Sequence, residues 1–321
     1  MSLSRKILIS IFAILVVVML ILLGVVNFYM KNSYAKIEND DVSQNVSRAE
    51  DLISQETDRL RSLVSDYALW DDTYEFIDQG NMDYIDSNIS SGSLIDLGLD
   101  MILFVRLDGT LVYGASLDEQ SGEMAALSKD ILADVAPQSS LDQLKTPETF
   151  LAGVTLIQNN PALIASLPVL QNSGEGPVHG VMIAVRFLDA VEVDQLSASL
   201  KLPLQLALIN APALPADFSV ALSHMNNPSA TFIRVLGPDL IGGYRQIVDV
   251  NGKPALLLRV DSDRRVFNEG VTTLVFFMVM LIIVFLILGL VLVLILNRFV
   301  LRPIHELTDV RSEEHTSELQ S

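Results

Sequence analysis

Residues 66–77 read DYALWDDTYEFI. They hold the only tryptophan of the chain, Trp70, with three carboxylates, Asp66, Asp71 and Asp72, and two tyrosines, Tyr67 and Tyr74. Apolar and aromatic residues upstream recur at steps of three and four: Val46, Ala49, Ile53, Leu60, Leu63, Tyr67, Trp70, Tyr74 and Ile77, with one charged interruption at Glu56. That spacing puts them on one side of a helix. There is no Pro or Gly from Lys31 to Gln79, so the pattern predicts one long stalk helix from Ser33 to Ile77, ending near Gly80-Asn81. Its heptad-like period predicts a parallel pairing with a second copy along Val46 to Leu63.

Two apolar runs bracket this region. Residues 7–30 are interrupted only by Ser10, Gly24 and Asn27, and residues 271–296 are uncharged. A bilayer core about 30 Å thick needs roughly 20 apolar helical residues, and both runs are long enough. The first has no small-x-small cleavage site after it and reads as an uncleaved anchor. Arg5 and Lys6 precede the first run, and Arg298 and Arg302 follow the second. The positive-inside rule places both ends in the cytoplasm and residues 31–270 outside, in a multi-pass protein of a bacterial inner membrane.

The exterior segment carries 16 basic and 34 acidic side chains, which accounts for the whole net charge of −18. Such a surface repels nucleic acid. The chain has no cysteine, which removes thiol chemistry and disulfides. His179, His224 and His305 stand apart in the sequence. No metal-ligand spacing, Ser-His-Asp arrangement or glycine-rich phosphate loop is present, so neither a metal nor another cofactor is expected, and no catalytic residue.

After residue 80 the pattern turns to strands. MILFVRLDGTLVYGAS (101–116) reads as a hairpin about Asp108-Gly109. SGEMAALSKDILADVA (121–136) reads as a short helix, and TFLAGVTLI, ALIASLPVL and GVMIAVRFL as strands. DQLSASL reads as a further helix. LPLQLALI, TFIRVL, YRQIVDV and PALLLRV continue the sheet, with a second turn at Asn251-Gly252. The expected fold class is α+β, one exterior domain between two membrane anchors.

Trp70-Asp71-Asp72-Thr73-Tyr74, at the end of a helix leaving the membrane and followed by a hairpin, resembles the recognition core of the fourth class of CHASE domains. The resemblance covers about residues 40–200. It implies an extracellular sensor of a bacterial or archaeal signalling protein with a PAS/Cache-like fold. NRFVLRPIHELTDV (297–310) resembles the start of a HAMP linker, with Arg302-Pro303-Ile304 opening a cytoplasmic helix. RSEEHTSELQS (311–321) resembles the translation of a sequencing adapter, so the natural chain is expected to continue past Val310. The resemblance implies an output domain there, a cyclic-di-GMP synthase or phosphodiesterase or a histidine kinase.

The expected organisation is thus 1–30, N-terminus and first span; 31–270, exterior sensor; 271–297, second span; 298–310, HAMP start; 311–321, non-native tail. The candidate ligand-binding residues are Tyr67, Trp70, Asp71, Asp72 and Tyr74, an aromatic wall with carboxylates for an amine or cation. The same residues also fit a packing role, holding the stalk on the sheet, with Trp70 buried. At least one of Asp71 and Asp72 should then accept a hydrogen bond, because an unpaired buried carboxylate is too costly. The expected partners are the membrane, a small molecule outside and a second copy through stalk and spans. The alternative is a membrane-anchored module that docks another protein.

Overall fold

A computed structural model describes residues 3–118, 121–174, 176–296 and 298–299. The tail and all but the first two residues of the expected HAMP start lie outside them. The chain forms two compact units, one of residues up to Asn39 with those from Arg264, the other Asp40–Asp263.

In the second unit, the part of α1 (Leu3–Ala68) from Asp40 on is followed by three short helices, α2 (Asp71–Gln79), α3 (Met82–Asn88) and α4 (Ser91–Leu97). Strands β1 (Met101–Arg106), β2 (Leu111–Leu117), β3 (Met124–Ala126), β4 (Leu151–Ile157), β5 (Asn160–Val169) and β6 (Gly180–Phe187) form a six-stranded sheet in the order β3-β2-β1-β6-β5-β4. All its pairings are antiparallel. Helices α5 (Lys129–Val135) and α6 (Gln138–Leu141), with the 3-10 turn Asp142–Leu144, cover one face through Val135, Leu141 and Leu144. Helix α7 (Ala190–Leu200) leads to a second antiparallel sheet. Its strands are β7 (Leu204–Leu208), β8 (Phe232–Val235), β9 (Leu240–Val248) and β10 (Pro254–Asp263), ordered β7-β10-β9-β8, with α8 (Ala216–His224) against it. The fold is the expected α+β class, a long N-terminal helix followed by two antiparallel sheets. Both hairpin turns fall where Asp-Gly and Asn-Gly place them, Gly109 at φ 85° and Gly252 at φ 75°. Segment 121–136 is strand β3 and then helix α5, not one helix; Ser128 caps α5 by accepting from the Ile131 N–H.

The stalk differs from expectation in two ways. The helix ends at Ala68 and restarts at Asp71, with Trp70 extended (φ −107°, ψ 133°). The Ala68 carbonyl accepts from the Leu170 N–H of the sheet (3.0 Å). The buried stripe, moreover, is Val42, Val46, Ala49, Ile53, Thr57, Leu60, Val64 and Ala68. Its steps average about 3.7 residues, the repeat of a straight helix lying on its own domain and not the 3.5 of a left-handed coiled coil. Val46, Ala49 and Leu60 are fully buried within this chain, so the predicted pairing seam is core. Gly243 of β9 fits beneath it: a Cβ there would meet Val46 Cγ2 at 2.5 Å and Val42 Cγ1 at 2.6 Å.

In the first unit the apolar parts of α1 and of α9 (Arg265–Leu296) turn large side chains such as Phe12, Ile21, Phe276 and Leu286 outward. Both helices are long and apolar enough to cross a membrane. Arg264 forms two 3.0 Å bonds to the buried Glu38 carboxylate, and the Tyr34 ring lies on Gly270. Glu38 is thus a buried, ion-paired residue of this unit.

Candidate functional site

The residues of the motif point in different directions. Asp71 and Asp72 stand in the first turn of α2, where the helix dipole favours negative charge. The Asp71 carboxylate accepts from the Asn172 N–H (2.8 Å), in the loop between β5 and β6. The expectation that one of the two aspartates accepts a hydrogen bond is met. Asp72 is exposed. Thr73 is fully buried and shares a 2.7 Å hydrogen bond with the buried Tyr84 hydroxyl of α3. Burial pushes the Tyr84 phenol up to about 12, against the Thr73 bond, which lowers it.

The Tyr74 ring stacks on the His179 imidazole, centroids 3.9 Å apart, and its hydroxyl lies 2.6 Å from His179 Nε2. His179 Nδ1 is 2.8 Å from Asp78 Oδ2. One helical turn of α2 thus holds the far end of the same loop. Burial, then the Asp78 charge, raise the Tyr74 pKa.

Trp70 corrects the expectation of burial: it is 40% exposed, beside Leu69 at 37%, and packs edge-on against Tyr67 (5.6 Å, 70°). The extended backbone at 70 turns the indole away from the sheet. Phe76 takes the core place instead, stacked on Tyr84 at 4.8 Å and edge-on to Phe104 at 5.3 Å. The five candidate residues therefore do not line one pocket. Asp71 and Tyr74 border an open cleft of about 370 Å³ with Glu75, Gln171 and Ser173. Tyr67 borders another, about 600 Å³, with Leu63, Asp66 and Leu97. Trp70 and Asp72 line neither.

Sequence reasoning missed the partners. His179 stands 105 residues from Tyr74 and has no local signal. Glu56, the charged break in the stalk pattern, was the one available clue to another junction. Its carboxylate faces Arg186 Nη1 of β6 at 3.4 Å. That guanidinium also donates to the Gly98 and Leu97 carbonyls at the end of α4 (2.7 and 3.2 Å). Glu192 of α7 completes the cluster; burial raises its carboxyl pKa, against the Arg186 charge. Arg106, ending β1, caps α2 by donating to the Ile77 and Asp78 carbonyls, both at 3.0 Å. Helix and sheet are thereby tied at both ends of the β1–β6 pair.

The described chain thus holds an α+β domain and two helices long and apolar enough to cross a membrane. Residues 52–207 match the family model of the CHASE4 domain. It is also similar to the methanogenesis regulatory histidine kinase FilI of Methanothrix harundinacea, 24% identical over 308 residues. That alignment takes in 96% of this chain but 34% of the relative, so the chain spans about a third of the relative's length. Among solved structures, the extracellular domain vpHK1S-Z8, assigned to a histidine kinase, has 12% identity and a TM-score of 0.48, covering 76% of this chain and 96% of that one. The periplasmic domain of Vibrio cholerae LuxQ has 11% identity and a TM-score of 0.44, covering 69% and 99%.

Proposed function

We propose that the chain is the input portion of a transmembrane receptor of the inner membrane, with its sensor domain outside. A small molecule bound outside shifts the sensor between two arrangements, and the change passes through the spans and a HAMP linker to a cytoplasmic output domain. A histidine kinase is the output favoured by the similarity to FilI; a cyclic-di-GMP enzyme is the other. A ligand drives such a change only by binding one arrangement more tightly. The observation that carries the reading is the joint at the end of α1. Ala68 and Asp71 hold the two sides of Leu170 and Asn172, so the β5–β6 loop cannot move without moving the helix end. The receptor works as a homodimer, and outward apolar residues such as Phe28 and Ile37 are the surface for it, not the buried stripe.

The test is a fusion of residues 1–310 to the HAMP and kinase domains of a receptor of known output, expressed in membranes. Kinase output that changes with compounds added outside supports the reading. Output that follows none of a broad metabolite panel contradicts it.

A second reading has one observation in its favour. The exposed Leu69 and Trp70 suit a module that docks another exported protein. Trp70→Ala separates the two. Loss of response to a protein fraction but not to small metabolites supports docking.

A further inference from the structure

Glu38 lies a few residues past the first apolar run, yet it is only 7% exposed. A buried carboxylate is too costly without a cation and hydrogen bonds. Both come from Arg264, the residue before α9, whose Nε and Nη2 atoms each donate to one Glu38 oxygen at 3.0 Å. Two parallel bonds between a guanidinium and a carboxylate fix direction as well as distance. The guanidinium also lies over the Phe267 ring in the first turn of α9, 4.5 Å from its centre.

A second contact lies one turn away along α1. Tyr34 and Glu38 are four residues apart and share a face of that helix. The Tyr34 ring rests on Gly270 of α9 closer than a side chain would permit: a Cβ there would be 2.6–2.7 Å from the ring carbons. At helical steps of three and four on the same side of α9 stand the half-buried Phe267 and the buried Leu274. Sliding α9 along α1 in either direction therefore carries a bulky side chain under the ring. It also pulls both Arg264 bonds out of line, and they are gone within one helical turn, about 5.4 Å. Tyr34, Glu38, Arg264 and Gly270 all belong to the unit that holds the two apolar helices.

We infer that these four residues form a clasp that fixes the register of α1 against α9 at the outer edge of the membrane. The inference rests on the receptor reading and adds how the signal crosses. With the clasp closed, α9 does not slide past α1 as a piston. The two helices of one copy move as a pair against those of a second copy, a motion that leaves the ion pair and the ring contact untouched.

The experiment uses the full chain in membranes. The chain has no cysteine, so any disulfide forms between added residues, and non-reducing gels tell one within a chain from one between copies. Tyr34→Cys with Gly270→Cys should oxidise readily within one chain. A Cβ on Gly270 would lie 2.7 Å from Tyr34 Cγ, which puts the two Cβ atoms within disulfide reach. Tyr34→Cys with Leu274→Cys, one turn along, should oxidise far less. In both, the Glu38–Arg264 pair is left to hold the register. Adding Glu38→Gln should lower the ratio of the 34/270 to the 34/274 product about tenfold, the worth of one charge-assisted hydrogen bond. Equal products, or a ratio indifferent to Glu38→Gln, overturn the clasp whatever becomes of the receptor reading. In the kinase fusion, made free of other cysteines, output changed by an added compound or by Asp71→Asn should survive oxidation of the 34/270 pair. Output lost on oxidation and restored by a reductant shows that sliding carries the signal and overturns the inference. A fusion that responds to neither, with the cross-links as expected, sinks the receptor reading and leaves the clasp standing.

Discussion

The Tyr74 ring lies on the His179 imidazole at 3.9 Å, and its hydroxyl reaches the Nε2 atom of that ring at 2.6 Å. Residues 105 apart in sequence therefore share both a stack and a polar contact. They pin the β5–β6 loop to α2. Tyr74→Phe keeps the stack and removes the hydroxyl, at a cost of about 0.5–1.5 kcal/mol. His179→Ala removes both contacts. Hydrogen exchange across residues 171–179 should rise modestly in the first variant and strongly in the second, with the core strands unchanged. Equal protection in both would show that the loop is held elsewhere.

The stalk stripe is core of its own subunit. Gly243→Ala drives a methyl group into Val42 and Val46 and should destabilise the sensor by about 1–3 kcal/mol. Cysteine at Ala49 should give no cross-link between copies, whereas cysteine at the exposed Ile37 should. Efficient cross-linking through position 49 would restore the coiled-coil reading.

Arg186 ties β6 to the stalk and to the end of α4. Arg186→Met leaves Glu56 with Arg59 alone as its cation and two carbonyls without donors, and should cost about 1–3 kcal/mol. Glu56→Gln keeps a hydrogen-bond acceptor and should cost less. Urea melts of the two variants give the order directly; a harsher effect from Glu56→Gln would contradict it.

Tyr84 links the motif to pH. Its phenol titrates at about 12 in the folded protein, above the usual value of about 10. A raised folded pKa gives stability that is full below about pH 10 and is lost as pH climbs through about 12. The ultraviolet phenolate titration should contain a component near 12 that Tyr84→Phe lacks. Thr73→Val removes the hydrogen bond that lowers this pKa, so the component moves higher still. A shift downward would mean that the Thr73 hydroxyl is not the partner.

Much of the fold was legible in the sequence because its signals are local. Alternating aliphatic residues and the Asp-Gly and Asn-Gly turns marked the two principal hairpins, and Gly80 ended α2 where expected, in the left-handed conformation. The break at Leu69-Trp70 was not legible. Periodicity runs through it, and the backbone leaves the helix there because the Ala68 carbonyl goes to Leu170, a long-range partner. The site was half legible for the same reason. Thr73, Tyr74 and Asp71 are each engaged, but with Tyr84, His179 and Asn172, whose positions only the folded sheet supplies. Helix α8 escaped notice because Pro215, Asp217 and Ser219 give its start the look of a loop.

The central claim is that the joint at the end of α1 transmits the state of the exterior loop to the output. Asp71→Asn weakens the charge-assisted bond to Asn172 while leaving the half-buried and buried contacts of Tyr74 and Thr73 in place. In the kinase fusion, autophosphorylation in membranes should change by about fivefold or more, the low end of ordinary allosteric coupling. Membrane abundance and sensor melting should stay as in the parent. Unchanged autophosphorylation in a normally folded Asp71→Asn fusion would contradict the account.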